Sequence, residues 1–475
     1  MSLVACLFVA QDQQLWFDES YSITVARHDM GQMISLVAVD VHPPFYYIIL
    51  KVWGGLFGFE AMTLRVLSAL FYSAAIGLML LLISKLFNKR VAVMGFPILL
   101  LAPFLLRYGF EIRMYSLASL IAVVSTWVMY HAYKTNKNWQ WAVYAVTVAL
   151  GMYTLYTMAV VFVAQLIWLA VMTRKKKKNI LKEKWILAYA GAVLLFVPWL
   201  PIAIRQMRDS GLPGVATTFG AEQLSEVLTY NILYKPASQM RILDWVLIIM
   251  VVGAAAWAII ALRKNRAFNK RGLGVIAGLF GLSVAVWAVT ASPLLDSNIY
   301  LERYTAQFVI FGYASLAVVL ASYVETKGGR GGSLTAYMIV AFVMLIGINN
   351  LIYYGNFNFQ RWERPNTRDV MDVAIEFCYE TVVVDDPFVF IELDVYTPEG
   401  CNFKFFGKEE FRYHGGYAPL HLIDERRIAN VVELTTDTVV MVSLTEEPNL
   451  DITEYYELVE TIGMEKRNLL VYERR

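Results

Sequence analysis

Long apolar runs separated by short polar stretches fill the first three quarters of the chain. A helix needs about 20 apolar residues to cross a hydrocarbon core of about 30 Å. That length predicts spans near 1–14, 61–86, 91–106, 114–134, 139–153, 156–173, 185–204, 242–262, 272–290, 304–324 and 334–354, about eleven in all, with the first and fifth short. No basic region precedes the first run and no small-residue cleavage site follows it, so it is expected to be a retained span. From about residue 355 the runs end and charges become frequent. TRDVMDVAIEFCYE has helical periodicity, TVVVDD and NFKFF read as strands, and TDTVVMVSL, NLDITEYYELVETIGM and RNLLVYERR read as strand, helix, strand. The expected fold is a mainly α polytopic membrane protein, residues 1–354, followed by a small C-terminal α/β soluble domain, residues 355–475. NFNFQRWERPN at 356–366 is the expected hinge. No internal repeat is visible.

Composition agrees: 58% of the 475 residues are hydrophobic and 17% charged, and the mean hydropathy is +0.51. A net charge of +2 gives no footprint for nucleic acid. Charge matters by position instead. Lys and Arg concentrate in the connections at 88–90, 134–138, 174–184, 263–271 and 325–333, which alternate along the chain and are expected to be cytoplasmic. The N-terminus is then cytoplasmic, and the connections 15–60, 107–113, 205–241 and 291–303 face outward together with the C-terminal domain. RKKKKN at 174–179 is explained by this topology, and GGRGG at 328–332 is a flexible turn with no strand before it. The cysteines, Cys6, Cys378 and Cys401, form no metal spacing; whether Cys378 and Cys401 pair is open.

The outward connection 15–60 is far longer than a usual helix link of about 2–8 residues, and long ordered loops are usually functional. It opens with LWFDESYS, which sets Asp18 and Glu19 beside an apolar helix. SYSITVARHDMGQMISLVA suits a helix lying in the membrane interface. DVHPPFYY follows, where Pro43 and Pro44 stop one helix and start the next, leaving Asp40 and His42 on an extended elbow. RYGFEIRMYS at 107–116 and ERY at 302–304 place arginines at outward helix ends. In the outward connection 205–241, a Gly/Pro-rich start and a helical second half suggest a lid. YTLYTM at 153–158 is a candidate lining of the sugar site.

LWFDESYS, DVHPPFYY, LRVLSALF and FEIRMYSL in this order resemble the GT-C membrane glycosyltransferases. The resemblance is to the dolichyl-phosphate-mannose protein mannosyltransferases and their bacterial relatives, including aminoarabinose transferase-like enzymes. It covers roughly residues 12–320 and leaves the C-terminal domain outside. It implies a GT-C fold and an inverting transfer, at the outer membrane face, of a sugar from a polyprenyl-phosphate donor to a protein, lipid or cell-envelope glycan. Such a displacement needs a base for the incoming hydroxyl. Phosphate leaves readily, so the second need is positive charge, which arginine supplies with a bidentate fork.

By resemblance, Asp18 is the base and Glu19 shapes the site. Asp40 and His42 position donor or acceptor, Arg113 with neighbouring Tyr115 contacts the carrier phosphate, and Arg303 with Tyr304 forms a second contact. A divalent cation is left open, with Asp18, Asp40 and His42 as candidate ligands. Plainer readings compete: Asp18 and Asp40 as helix caps, His42 as a structural hydrogen-bonder, Arg113 and Arg303 as snorkelling cations, and Glu111 as a partner of Arg107 or Arg113. A transporter or flippase of lipid-linked sugars is the alternative function, and its usual repeat symmetry and midplane charges are not evident.

Overall fold

The computed structural model describes every residue except 12, 178, 210–219, 267, 293–300, 330, 355–366, 408–414, 444–447 and 465–466. The expected hinge and the Gly/Pro-rich start of the expected lid lie outside the described residues. The chain forms two compact units that do not follow chain order. One comprises Met1–Gln11, His42–Tyr46 and Arg65–Gly355; the other comprises Asp12–Val41, Tyr47–Leu64 and Asn356–Arg475.

The first unit is helical and built from the apolar runs. Eight described helices are long and apolar enough to cross a membrane, or nine if the bent pair Lys89–Leu100 and Pro103–Phe110 counts as one span. The chain is thus a polytopic membrane protein. Spans expected at 1–14 and 139–153 correspond to helices Ser2–Ala10 and Asn138–Thr154, of 9 and 17 residues, and fall outside that set. The expected 91–106 span is the bent pair, turned by 70° where Pro103 restarts the helix. Span Glu302–Thr326 is central to the unit, with 83% of its apolar window buried in protein. Lys89–Leu100 packs closely on it: a Cβ on Gly95 would come within 3.2 Å of the Ala317 Cβ. A second seam is polar and satisfied. Buried Gln165 donates to Ser125 and Thr126 at 3.0 Å each, and accepts from the Tyr144 hydroxyl at 2.7 Å.

The second unit joins part of the 15–60 connection to the C-terminal domain. Helices Phe17–Arg27 and Met30–Val39 follow one another; Asp29 caps the second by accepting from the Gln32 amide at 2.9 Å. The expected surface helix is therefore two helices. Its core is a six-stranded sheet of β1 (Thr381–Val384), β2 (Phe403–Phe406), β3 (Arg427–Ile428), β4 (Thr438–Ser443), β5 (Tyr456–Met464) and β6 (Arg467–Arg474), ordered β3-β2-β1-β4-β6-β5. The β3-β2, β2-β1 and β1-β4 pairs are parallel, and β6 pairs antiparallel with both β4 and β5. All four β1 residues are buried, as for a strand covered on both faces.

One local expectation is corrected. In the segment expected to be a helix after TDTVVMVSL, residues 456–464 form strand β5, paired along its length with β6. Glu and Leu favour a helix locally, but the neighbouring strand RNLLVYER offers a ladder of backbone hydrogen bonds, and tertiary pairing overrides weak propensity. Helix Pro387–Asp394, between β1 and β2, was not expected. Asp386 caps it by accepting from the Phe388 amide at 2.7 Å, and Pro387 occupies the first turn. Cys378 and Cys401 form a disulfide.

Candidate functional site

In the membrane unit the site is built on the segment between helices Pro103–Phe110 and Tyr115–Thr135. The first helix ends because Glu111 takes an extended ψ of 135°, and the Arg113 amide donates back to the Glu111 carbonyl at 2.6 Å. This tight turn carries Arg113 into the interior. Gly109 is needed just ahead of it, since a Cβ there would meet the Tyr72 ring at 2.9 Å and Cys6 Sγ at 3.2 Å.

Arg113 is 3% exposed and His42 is 7% exposed. The Arg113 Nη2 lies 3.2 Å from His42 Nε2 and 3.5 Å from Nδ1. A guanidinium can only donate, and which ring nitrogen faces it as acceptor depends on the His42 tautomer. The His42 carbonyl in turn accepts from the Gln206 amide at 3.4 Å. Gln206 also takes the Tyr156 hydroxyl, which itself accepts from Trp199 Nε1 at 2.9 Å. The chain Trp199–Tyr156–Gln206–His42–Arg113 thus runs from the YTLYTM turn to the phosphate-binding candidate. Next in that turn, Thr157 Oγ1 accepts from Gln307 at 3.1 Å, and Gln307 also donates to the Tyr304 carbonyl at 2.7 Å. The candidates His42, Arg113 and Tyr304 are therefore linked through one short turn. Arg303 sits half-buried on the turn Glu302–Thr305, ahead of helix Ala306–Thr326.

Glu111 is a structural partner: buried, it pairs with Arg107 at 3.3 Å. The Tyr115 ring is fully buried, edge-on to Tyr108 with centroids 5.2 Å apart, and the Tyr108 hydroxyl donates to Glu302 at 3.5 Å. Glu226, on helix Ala221–Ile232, has its carboxyl pushed up to about 7 by burial first, then by Glu302 and Glu222.

The acidic candidates lie in the second unit. Asp18 and Glu19 occupy the first turn of helix Phe17–Arg27, where the helix dipole favours anions. The capping position belongs to Trp16, whose side chain makes no cap hydrogen bond, so Asp18 is not the cap. Glu19 is 1% exposed and Asp18 is half-buried. Asp40 terminates helix Met30–Val39 in extended backbone, as the elbow requires, and is 5% exposed. A carboxylate at a helix C-terminus gains nothing from the dipole, so local helix physics does not account for Asp40.

Among the described residues no three His, Cys, Asp or Glu side chains group as a metal site. Of the candidate cation ligands, Asp18 and Asp40 belong to the second unit and His42 to the membrane unit. Sequence reading missed Arg65, Gln206 and Glu226 as site components. Arg65, 2% exposed, donates to the Ala10 carbonyl at 3.0 Å and lies over the Phe110 ring at 5.6 Å. A cation heading an apolar span was the available signal for it. Gln206 and Glu226 carry none that local pattern would reveal.

The sequence profile of the dolichyl-phosphate-mannose-protein mannosyltransferase family matches residues 41–202. A search of curated proteins finds no match. Among solved structures, ArnT from Cupriavidus metallidurans in the apo state is similar over 99% of this chain and 96% of its own, with a TM-score of 0.61 and 12% identity. The same protein bound to undecaprenyl phosphate gives the same coverage, a TM-score of 0.62 and 13% identity. The chain shares the fold of this ArnT over nearly the whole length of both.

Proposed function

We propose that this protein is an inverting glycosyltransferase that moves a sugar from a polyprenyl-phosphate donor to an acceptor hydroxyl at the outer membrane face. The observation that carries the reading is the buried Arg113–His42 pair, which lies inside the segment matched by the mannosyltransferase profile. Undecaprenyl phosphate bound to ArnT supports a carrier of this class for a chain of the same fold.

In the proposed reaction Asp18 takes the proton of the acceptor hydroxyl. The freed oxygen attacks the anomeric carbon while the bond from that carbon to the carrier phosphate breaks on the opposite face. The bonding pair leaves with the phosphate, which needs positive charge and no proton. Arg113 supplies that charge, held beside the His42 ring and kept from hydration by burial. Arg303 and Tyr304 form the second contact to the donor, and Tyr115 joins Arg113 in contacting the carrier phosphate. Glu19 shapes the pocket beside Asp18, and Asp40 positions a hydroxyl-bearing substrate. Two features support an extracytoplasmic site and C-terminal domain, with the N-terminus cytoplasmic. The Cys378–Cys401 disulfide belongs to an oxidising compartment, and loop cations follow the positive-inside pattern.

The test offers membranes containing the protein a panel of radiolabelled polyprenyl-phosphate sugars and identifies where the label goes. Label joined to a protein, lipid or envelope glycan supports the reading and names both donor and acceptor. Label that crosses the bilayer still on its carrier supports the transporter reading and overturns this one.

A further inference from the structure

A disulfide-closed loop of the C-terminal domain contacts the helix that carries Asp18 and Glu19, while the Leu15 carbonyl just ahead of it accepts from the Thr367 hydroxyl at 3.2 Å. The Cys378–Cys401 disulfide encloses helix Pro387–Asp394 and the turn after it. Four contacts from within that loop reach the segment 15–27. The Phe388 ring stacks on Phe17, with centroids 3.9 Å apart and planes within 5°. The Glu392 carbonyl accepts from the Ser20 hydroxyl at 3.4 Å. The Tyr396 hydroxyl accepts from the Leu15 amide at 3.2 Å, and the Val395 carbonyl accepts from Arg27 at 3.5 Å. Leu15 and Phe17 come just before the carboxylates and Ser20 directly after, so these contacts bracket Asp18 and Glu19.

The loop is itself anchored at both levels. Buried Glu392 pairs with Arg467 of β6 at 2.6 Å. Beside the disulfide, the Asn402 amide donates to the Cys378 carbonyl at 3.2 Å, and the Val382 amide donates to the Asn402 carbonyl at 3.0 Å, which joins the loop ends to β1 and β2. The helix of the carboxylates thus rests on a crosslinked platform and not on a chain end.

We propose that the disulfide-closed loop 378–401 is the positioning element for the proposed base, with Phe388 and Tyr396 as its positioning residues, so that transfer requires the Cys378–Cys401 bond. This rests on the reading of Asp18 as the base. A carboxylate displaced by about 1 Å from the acceptor hydroxyl loses catalysis on the order of a hundredfold, whereas donor binding by the cationic residues does not depend on it. Loosening the loop therefore lowers kcat and spares the donor KM.

The experiment uses the full chain, purified oxidised and reconstituted in proteoliposomes, with the labelled donor identified by the panel. Dithiothreitol is added and removed, and free thiols are counted after each step. The remaining cysteine, Cys6, is buried in the membrane unit. Reduction is expected to lower kcat at least about tenfold with donor KM within about twofold, and reoxidation to restore it. A Cys378→Ser/Cys401→Ser variant is expected to start low and ignore the reductant. Phe388→Ala is expected to follow the reduced protein, and Phe388→Tyr, which keeps the stack, to stay near wild type. Unchanged kcat in the reduced protein and in Phe388→Ala, or a loss confined to donor KM, overturns the proposal. Asp18→Asn is run alongside: if it is inactive while the loop variants are normal, the positioning role alone fails. If Asp18→Asn is active, the base assignment itself fails.

Discussion

The buried arginines of the membrane unit and the carboxylates on helix Phe17–Arg27 are held in different ways. In the membrane unit each buried arginine meets its own partner: Arg65 the Ala10 carbonyl, Arg107 the Glu111 carboxylate, and Arg113 the His42 ring. In the second unit Asp18 and Glu19 are placed together, by the helix they ride on. That helix is held at Leu15, Phe17, Ser20 and Arg27, and at its C-terminal end Lys51 donates to the carbonyls of His28 and Ala26. Cations fixed one by one should respond to mutation locally. Carboxylates fixed as a group should respond to changes far from them in sequence.

The sharpest way to break this contrast is at the base of the platform. Glu392→Ala takes the carboxylate partner from buried Arg467 and is expected to destabilise the second unit by about 3–5 kcal/mol. Denaturant unfolding of the full chain, followed by protease access to the C-terminal domain, measures it. Replacing Glu392 and Arg467 together with Leu and Met should cost much less, because no charge is then buried. Equal losses in the single and double variants would mean that the pair is not what holds the loop.

In the membrane unit, Arg113→Ala is expected to reduce transfer about a hundredfold while the protein stays folded, the size of effect seen when one charge-stabilising donor is removed. Arg113→Lys should recover little, since a single ammonium does not reproduce the fork. Steady-state kinetics against donor concentration checks both. A normal dependence on donor in Arg113→Ala would remove it from phosphate binding.

The membrane unit was the more legible of the two, for a physical reason. A span must satisfy its backbone internally and face lipid, so long apolar runs mark it directly. The same reading foresaw that the first run is short but not the 70° bend at Pro103. Of the site, FEIRMYS and DVHPP singled out Arg113 and His42 because charges beside apolar helices are conspicuous, and their contact follows. Gln206 joins His42 from 164 residues away, a contact that no local pattern encodes. The second unit was less legible because it is assembled from separated stretches. DDP did hold a helix start, with Asp386 as the cap and Pro387 in the first turn, but the short helix behind it was hidden by two flanking strands. YELVETIGM was read by its helix formers, and the strand beside it decided otherwise.

The smallest expected effect concerns pH. Glu226 titrates near 7 in the folded protein, above the ordinary value of 4.5, because burial and then Glu302 and Glu222 disfavour its charge. Between these values the folded state binds more protons than the unfolded one, so stability falls as pH rises through the window and levels off above it. Thermal unfolding followed from about pH 5 to about pH 8 should show this decline, and Glu226→Gln should flatten it. An identical slope in the variant would assign the dependence to another group.

The central claim is that Asp18 removes the proton of the acceptor hydroxyl. Its most direct test is transfer of labelled sugar from the polyprenyl-phosphate donor by Asp18→Asn in proteoliposomes, beside wild type and with donor binding measured on both. Donor binding is expected within about twofold of wild type and transfer reduced by at least about a hundredfold, the contribution of a positioned general base. Transfer at the wild-type rate would contradict it.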